Sequence, residues 1–375
     1  MLLVLLLVVG ACAADDAADT TAEETATEPA DTEQTETEAD TEATEATEEE
    51  TEADATEEET EGEATEGEGS ITIYSGRSEE LVGPLLERFT EATGIEVEVR
   101  YGDTAELAAT ILDEGQNSPA DVFFGQDAGA LGALRAEGLL TELPSDITDE
   151  VDARFRATDG TWVGASGRAR VLVYSTDLVT EEELPDSVFE LTEEQWNGRV
   201  GWAPTNGSFQ AFVTAMRISE GEDVTRDWLE GMIANDVQVY SNNGSQVEAA
   251  AAGEIAIGLV NNYYLARMAA ENPDIAAANH FLPGSDIGSL INIAGAGILA
   301  TSDQTDLAEE FVAYLLGEEA QTYFAEETYE YPLAAGVEAD AFLPSLDEIG
   351  SPEIDLSDLA DLQGTLDLLV EVGAI

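Results

Sequence analysis

The sequence contains no lysine: its 12 basic residues are all arginine, against 82 acidic ones, for a formal net charge of -70 over 375 residues. A chain this poor in cations cannot neutralise several phosphates at once, and nucleic-acid affinity rests on that neutralisation, so DNA and RNA binding are excluded. Cys12 is the only cysteine, which rules out an intramolecular disulfide and leaves the fold to packing alone. The only histidine, His280, precedes Phe281-Leu282-Pro283 and has no metal-ligand partner at useful spacing, which points to a structural or exposed residue. There is no Gly-x-Ser-x-Gly elbow, no phosphate-binding loop and no paired-histidine motif. With carboxylates so abundant, a pair at glycosidase spacing carries no information. A secreted hydrolase therefore stands only as a remote alternative.

What is present is unevenly distributed. Residues 13–69 hold 25 Asp or Glu, no arginine and no aromatic. This tract of Thr, Glu, Ala and Asp has nothing to bury against its ordering entropy, and its like charges repel, so residues 12–69 read as a disordered acidic tether. A flexible coil of that length spans roughly 40 Å, and more under self-repulsion. Before it, residues 1–11 form an apolar run too short to cross a bilayer. The run ends in Val9-Gly10-Ala11-Cys12, which resembles a lipobox and makes Cys12 the expected lipid anchor of a bacterial lipoprotein, although no basic residue precedes the run. The expected location is extracytoplasmic, with the membrane touched only through the lipid.

Beyond residue 69 the composition changes. Hydrophobic residues make up 43% of the whole chain, enough for sizeable cores, and this part still carries 57 acidic residues against 12 arginines. A compact body with that surplus repels itself in dilute buffer, whereas at about 1 M salt the screening length falls to roughly 3 Å. A halophilic acidic protein is the expectation.

From Ser70 onward short apolar strands alternate with amphipathic helices. Residues 71–74 read as a strand and 78–93 as a helix with Leu81, Leu85, Leu86 and Phe89 on one face, stopped by Gly94. Residues 95–99 alternate with period two, 105–114 read as a helix and 121–124 as a strand. Repetition of this unit predicts a parallel α/β sheet, in which ligands bind beyond the carboxyl ends of the strands.

Two stretches after strands carry chemistry. Residues 254–260 are strand-like, Asn261 and Asn262 are suited to cap a helix, and Tyr263-Tyr264 would stand in its first turn, where neighbouring side chains diverge by only about 100°. Both phenols can then reach one point. A phenolate, with a free pKa of about 10, is a hard, basic donor suited to a small hard cation such as Fe(III). Two aromatics packed in a core remain the alternative. Thr205-Asn206-Gly207-Ser208 leads into a helix running to about residue 218, a start that exposes backbone N–H groups to an anion unless side chains simply cap it.

Taken in order, Tyr74-Ser75-Gly76-Arg77, Ser118 to Phe124, Ser166-Gly167-Arg168-Ala169-Arg170-Val171, Pro204 to Phe209, Gly253-Glu254-Ile255 and Asn261-Asn262-Tyr263-Tyr264 resemble the ferric-iron-binding proteins of bacterial ABC importers. The likeness runs from about Ile71 to the C-terminus. It implies an α/β, two-lobed periplasmic-binding-protein-like fold of type II, closing by a hinge on ligand in the inter-lobe cleft. Lobe 1 would comprise 70–168 plus 294–344, and lobe 2 would comprise 169–293 plus 345–375. The resemblance further implies Fe(III) as transported ligand on Tyr263 and Tyr264. A synergistic anion, phosphate or carbonate, would be held by Arg168, Asn206, Gly207, Ser208, Asn243 and Asn261. A monomer that passes its cargo to a membrane permease is expected.

Departures from the family pattern bear on the metal. One subclass has His where this chain has Ser78 and Glu where it has Gln126; another has a third Tyr where it has Asn206. Gln126, through a neutral carbonyl, and Asp127, through a carboxylate, are the candidates to complete the metal site. Tyr74, within a strand, reads as a packing residue. A related lipoprotein for another small molecule, such as a phosphonate, thiamine or another cation, is the second reading.

Overall fold

The computed structural model describes residues 69–341 and 343–375. The expected signal peptide, the expected anchor Cys12 and the expected acidic tether as far as residue 68 lie outside the described residues.

Among the described residues ten strands are formed: β1 (Gly69–Ser75), β2 (Ile95–Tyr101), β3 (Val122–Gly125), β4 (Val163–Ser175), β5 (Val200–Trp202), β6 (Gln238–Val239), β7 (Ile257–Asn261), β8 (Ala277–His280), β9 (Ile291–Ile298) and β10 (Tyr331–Pro332). They pair in the order β2-β1-β3-β9-β4-β7-β5-β6, with β8 and β10 both added to β4. The sheet falls into two halves because β4 changes partners along its length. Val163–Ala169 pairs with β9, and Arg170–Tyr174 pairs with β7. The chain passes from the first half to the second along β4 and returns into β9, so these two strands run antiparallel at the crossing.

The sheet is therefore mixed, not purely parallel as the strand and helix alternation predicts. Parallel pairing holds within each half, for β1 with β2 and β3 and for β5 with β6 and β7. The crossing strands are the exception, since one leaves each half and the other enters it. Every residue of β3, β4, β5, β7 and β9 is buried, as expected for strands covered on both faces. β2, at the end of the order, shows the in-out alternation of a half-covered edge.

The helix Glu79–Thr93 buries Val82, Leu85, Leu86 and Phe89 and ends at Gly94, whose φ of 76° suits the left-handed cap. Val82 takes the core place expected of Leu81, because 82, 85, 86 and 89 form the complete one-sided stripe. The Leu81 carbonyl instead accepts from the Tyr323 hydroxyl at 2.8 Å.

Buried polar contacts brace the crossing. Asn262 Oδ1 accepts from the Ala169 N–H at 2.9 Å, while its Nδ2 donates to the Tyr329 carbonyl at 3.4 Å. Tyr329 sits at φ 57°, rare for a residue with a Cβ. Beside it, Arg77 and Glu330 form a two-pronged ion pair at 3.0 and 2.7 Å, both side chains buried, with Arg77 also donating to Ser166 Oγ. Burial alone would raise the Glu330 carboxyl, but Arg77 overrides it and holds the group below its ordinary range.

The tail touches both halves. Leu356–Ala360 lies against the helix Ala128–Ala136, where a Cβ at Gly129 would stand 2.5 Å from the Leu359 carbonyl oxygen and one at Gly132 2.4 Å from that of Ser357. The following helix, Leu362–Val372, is held to the second half by Arg217, which bonds Asp361 and Thr365, and by a 2.7 Å hydroxyl pair between Thr214 and Thr365.

Candidate functional site

A cavity of about 860 Å³ opens where the two halves meet. Of the residues singled out from the sequence, Gln126, Asp127, Arg168, Asn206, Gly207, Ser208, Asn261, Tyr263 and Tyr264 all line it. Strand ends and helix starts put them there. β3 delivers Gln126 and Asp127, β4 delivers Arg168, β5 leads to Asn206, and β7 ends at Asn261.

β7 gives way to the helix Asn262–Glu271, so the two tyrosines stand in its first turn. Their rings stack with centroids 4.4 Å apart at 26°. Tyr263 is 5% exposed and Tyr264 half-buried. Burial pushes the Tyr263 phenol well above its ordinary value, the neighbouring Tyr264 adds to this, and Arg168 opposes it. Asn261 occupies the cap position but makes no side-chain cap hydrogen bond, contrary to the reading of a good cap. Its amide is left facing the cavity.

Arg168 is 2% exposed. One of its nitrogens donates to the Gln126 carbonyl, while Nε and Nη1 are buried without any partner. Burial lowers its pKa, against the pull of Tyr263, Glu330 and Asp127. A buried cation with two idle donors is costly unless an anion meets it.

Asn206 closes the next helix, Gly207–Ser219, by accepting from the Ser208 N–H at 3.2 Å. Its Oδ1 also takes the Ser208 hydroxyl at 2.6 Å and Asn243 Nδ2 at 3.3 Å. With three donors on that oxygen, Asn206 has only its NH₂ group left for a ligand, which suits an anion and not a metal. The capping reading thus holds for Ser208, whose N–H is already engaged. Asn243, 1% exposed, stands behind this turn and donates to Ser208 Oγ at 3.2 Å. It supports the wall instead of forming it.

Asp127 accepts from the Ala130 N–H at 3.1 Å at the start of its own helix, and burial raises its carboxyl pKa despite Arg168 nearby. The Gln126 side chain is half-buried on the same rim. Among the described residues no group of three or more His, Cys, Asp or Glu gathers around one point. Ser78 lines the cavity; Tyr74 does not, being buried with its hydroxyl between Arg100 and Glu114. His280 donates through Nε2 to the Pro185 carbonyl at 2.8 Å, a structural contact.

Sequence reasoning missed Arg170, Arg267 and the tail. Arg170 is buried below the anion side, touching Ser208 Oγ at 3.4 Å and the Leu259 carbonyl at 3.0 Å, with Phe209 and Phe212 against its guanidinium. Burial lowers its pKa to about 9. The spacing of Arg168 and Arg170 was the available signal, because i and i+2 share one face of a strand. Arg267 lies one turn beyond Tyr263 and lines the cavity, exposed. Nothing local announces the tail residues Leu359 and Gln363, which also line it.

Two α/β halves joined by crossing strands, with a cavity between them, define a solute-binding protein of the type II periplasmic class. Residues 85–349 match the model of bacterial extracellular solute-binding proteins, and the chain belongs to that family. The major ferric iron-binding protein of Neisseria meningitidis is 33% identical over 307 residues, covering 81% of this chain and 92% of that protein. Iron-bound HitA from Pseudomonas aeruginosa is similar in structure with a TM-score of 0.76 at 32% identity, over 81% of this chain and 99% of that one. A Trichodesmium protein in complex with iron and citrate gives 0.71 at 30% identity, with the same coverage. The relatives are named as iron-binding proteins, not as enzymes, and the chain's family is one of solute-binding proteins. No described helix is long and apolar enough to cross a membrane.

Proposed function

We propose that the protein binds Fe(III) through Tyr263 and Tyr264 together with a synergistic anion, and delivers it to the permease of an ABC importer. The observation that carries this reading is the stacked phenol pair at a strand end, lining the same cavity as Arg168, whose buried Nε and Nη1 are idle. Two phenolates leave a ferric ion with one positive charge, and an anion between the metal and Arg168 balances both. Arg168, the Asn206 amide, Gly207 and Asn261 are the anion's proposed partners, while Ser208, expected among them, spends both its donors on Asn206 and is held in place by Asn243 and Arg170. Gln126 and Asp127, which line the same cavity, are the proposed completion of the metal shell. Names and bound ligands of the relatives support iron as the cargo.

Adding ferric citrate, with phosphate or carbonate, to iron-free protein is expected to produce a visible phenolate-to-iron charge-transfer band. Its absence, or its persistence when Tyr263→Phe and Tyr264→Phe are combined, sinks the reading. A phosphonate ligand is the second reading, favoured by the same two idle guanidinium nitrogens; binding of methylphosphonate without metal would establish it.

The lipid anchor at Cys12 completes the proposal, on the strength of the lipobox resemblance. The mass of the membrane-extracted protein is the check: a mature chain that starts elsewhere or carries no acyl groups rejects the anchor.

A further inference from the structure

An arginine without a partner stands out in a chain this acidic. Seven of the twelve are ion-paired: Arg77, Arg100, Arg135, Arg154, Arg156, Arg217 and Arg226. Arg88 and Arg199 lie over aromatic rings, while Arg168 and Arg170 donate to backbone carbonyls. Arg267 alone has no hydrogen bond, ion pair or ring contact with any described residue. It is exposed, lines the cavity and stands on the helix Asn262–Glu271 one turn beyond Tyr263. Glu271, a further turn along, leaves it free; a cation that precedes its anion is the weaker order within a helix.

The cavity's other charged residues are Arg168 and three carboxylates of the first half, Glu80, Asp103 and Asp127. Asp103 is engaged at the start of its helix, where it accepts from the Ala105 and Glu106 N–H groups at 2.9 and 3.4 Å. Asp127 accepts from the Ala130 N–H at 3.1 Å and has Arg168 nearby. Glu80 remains. It is exposed in the first turn of the helix Glu79–Thr93 and has no hydrogen bond or ion pair with any described residue. One free cation and one free carboxylate therefore line the same cavity from different halves: Glu80 follows β1, and Arg267 follows β7.

We propose that Arg267 and Glu80 are the two sides of a latch, which meet as an ion pair when the halves close on a ligand and part when they open. The proposal rests on the cavity being the ligand site proposed above, whichever solute fills it. The pair stabilises the closed form alone, and the apparent affinity of a site that works only when closed scales with the closed fraction. A partly exposed pair changes that fraction a few-fold. Release is the step that feels it, because opening must break the pair. A pair in contact within a closed cleft is screened less than charges in open solvent, so added salt weakens the latch without removing it.

The test is a double-mutant cycle on the full-length protein, read by the rate at which iron passes to a competing chelator as the charge-transfer band decays. Arg267→Gln and Glu80→Gln are each expected to speed release about two- to fivefold, and the two together no more than either alone. Exchanging the charges, Arg267→Glu with Glu80→Arg, should bring the rate back to within about twofold of wild type. Independent effects of the two changes, no effect of either, or an effect of Arg267→Gln alone, as for a direct ligand contact, overturns the latch. A second measurement needs no iron: with Cys12→Ser, Glu80→Cys and Arg267→Cys combined, a short bis-maleimide should bridge the two positions. A chain that is not bridged, with or without iron, overturns the latch as well. If the band never appears the iron reading fails, and the bridging still decides the latch.

Discussion

Arg77 and Arg168 are both buried guanidiniums near the crossing between the two halves, and their surroundings are opposite. Arg77 meets Glu330 in a two-pronged pair and adds Ser166, so only its Nε is idle. Arg168 has a single carbonyl partner and two buried, idle nitrogens on a side chain that lines a cavity. The first is a closed account of charge that braces the fold. The second is an open one, and a buried cation left open is where a negative ligand belongs. Burial is common to the two regions, so it is the missing partner that separates a site from a brace.

Breaking the brace should have the largest effect. Glu330→Gln strands Arg77 in the core and is expected to cost about 3–5 kcal/mol of stability, read from denaturant melts. Retention of wild-type stability would mean that the pair is no brace. Arg168→Gln should do the reverse: unchanged or raised stability of the ligand-free protein, with anion-dependent iron binding weakened roughly 10- to 100-fold in titrations of the band. If it destabilises as Glu330→Gln does, the contrast between the two arginines collapses.

Acid should part the two regions as well. Each phenol that becomes a phenolate on binding releases a proton, so iron affinity falls about tenfold per pH unit for each, and the raised Tyr263 sets this loss in at high pH. Glu330 is depressed below its ordinary 4.5 when folded, so its contribution to stability is complete above that value and is lost only as pH falls through the folded one. Iron should therefore leave before the fold gives way. Parallel pH titrations of the band and of circular dichroism would show the two steps, and coincident midpoints would refute the separation.

The smallest expected change is with salt. The ion pairs other than Arg77 with Glu330 are partly or largely exposed and contribute little each, while the surplus of acid repels throughout. Moving from about 1 M to 0.1 M salt lengthens screening from roughly 3 to 10 Å, and the melting temperature should fall. An unchanged melt would deny the halophilic reading.

Much of this was legible in residue order. The strand before Tyr263-Tyr264, the helix after it and the small residues at 205–208 are local patterns, and local patterns survive into the structure. Arg77 and Glu330 are 253 positions apart, and no periodicity links them. Asn206 shows the finer limit, because the identity of an amide does not say which end faces the ligand. That was decided by Ser208 and Asn243, which occupy its oxygen.

The tail has a mechanical meaning. Jaws hung on β4 and β9 alone can swing and also twist. A third attachment is seated on Gly129 and Gly132 at one side and fastened by Arg217 and Thr365 at the other. Leu356–Val372 is thus a third tie between the halves, beside β4 and β9, made by a segment outside the cluster of phenols and guanidinium.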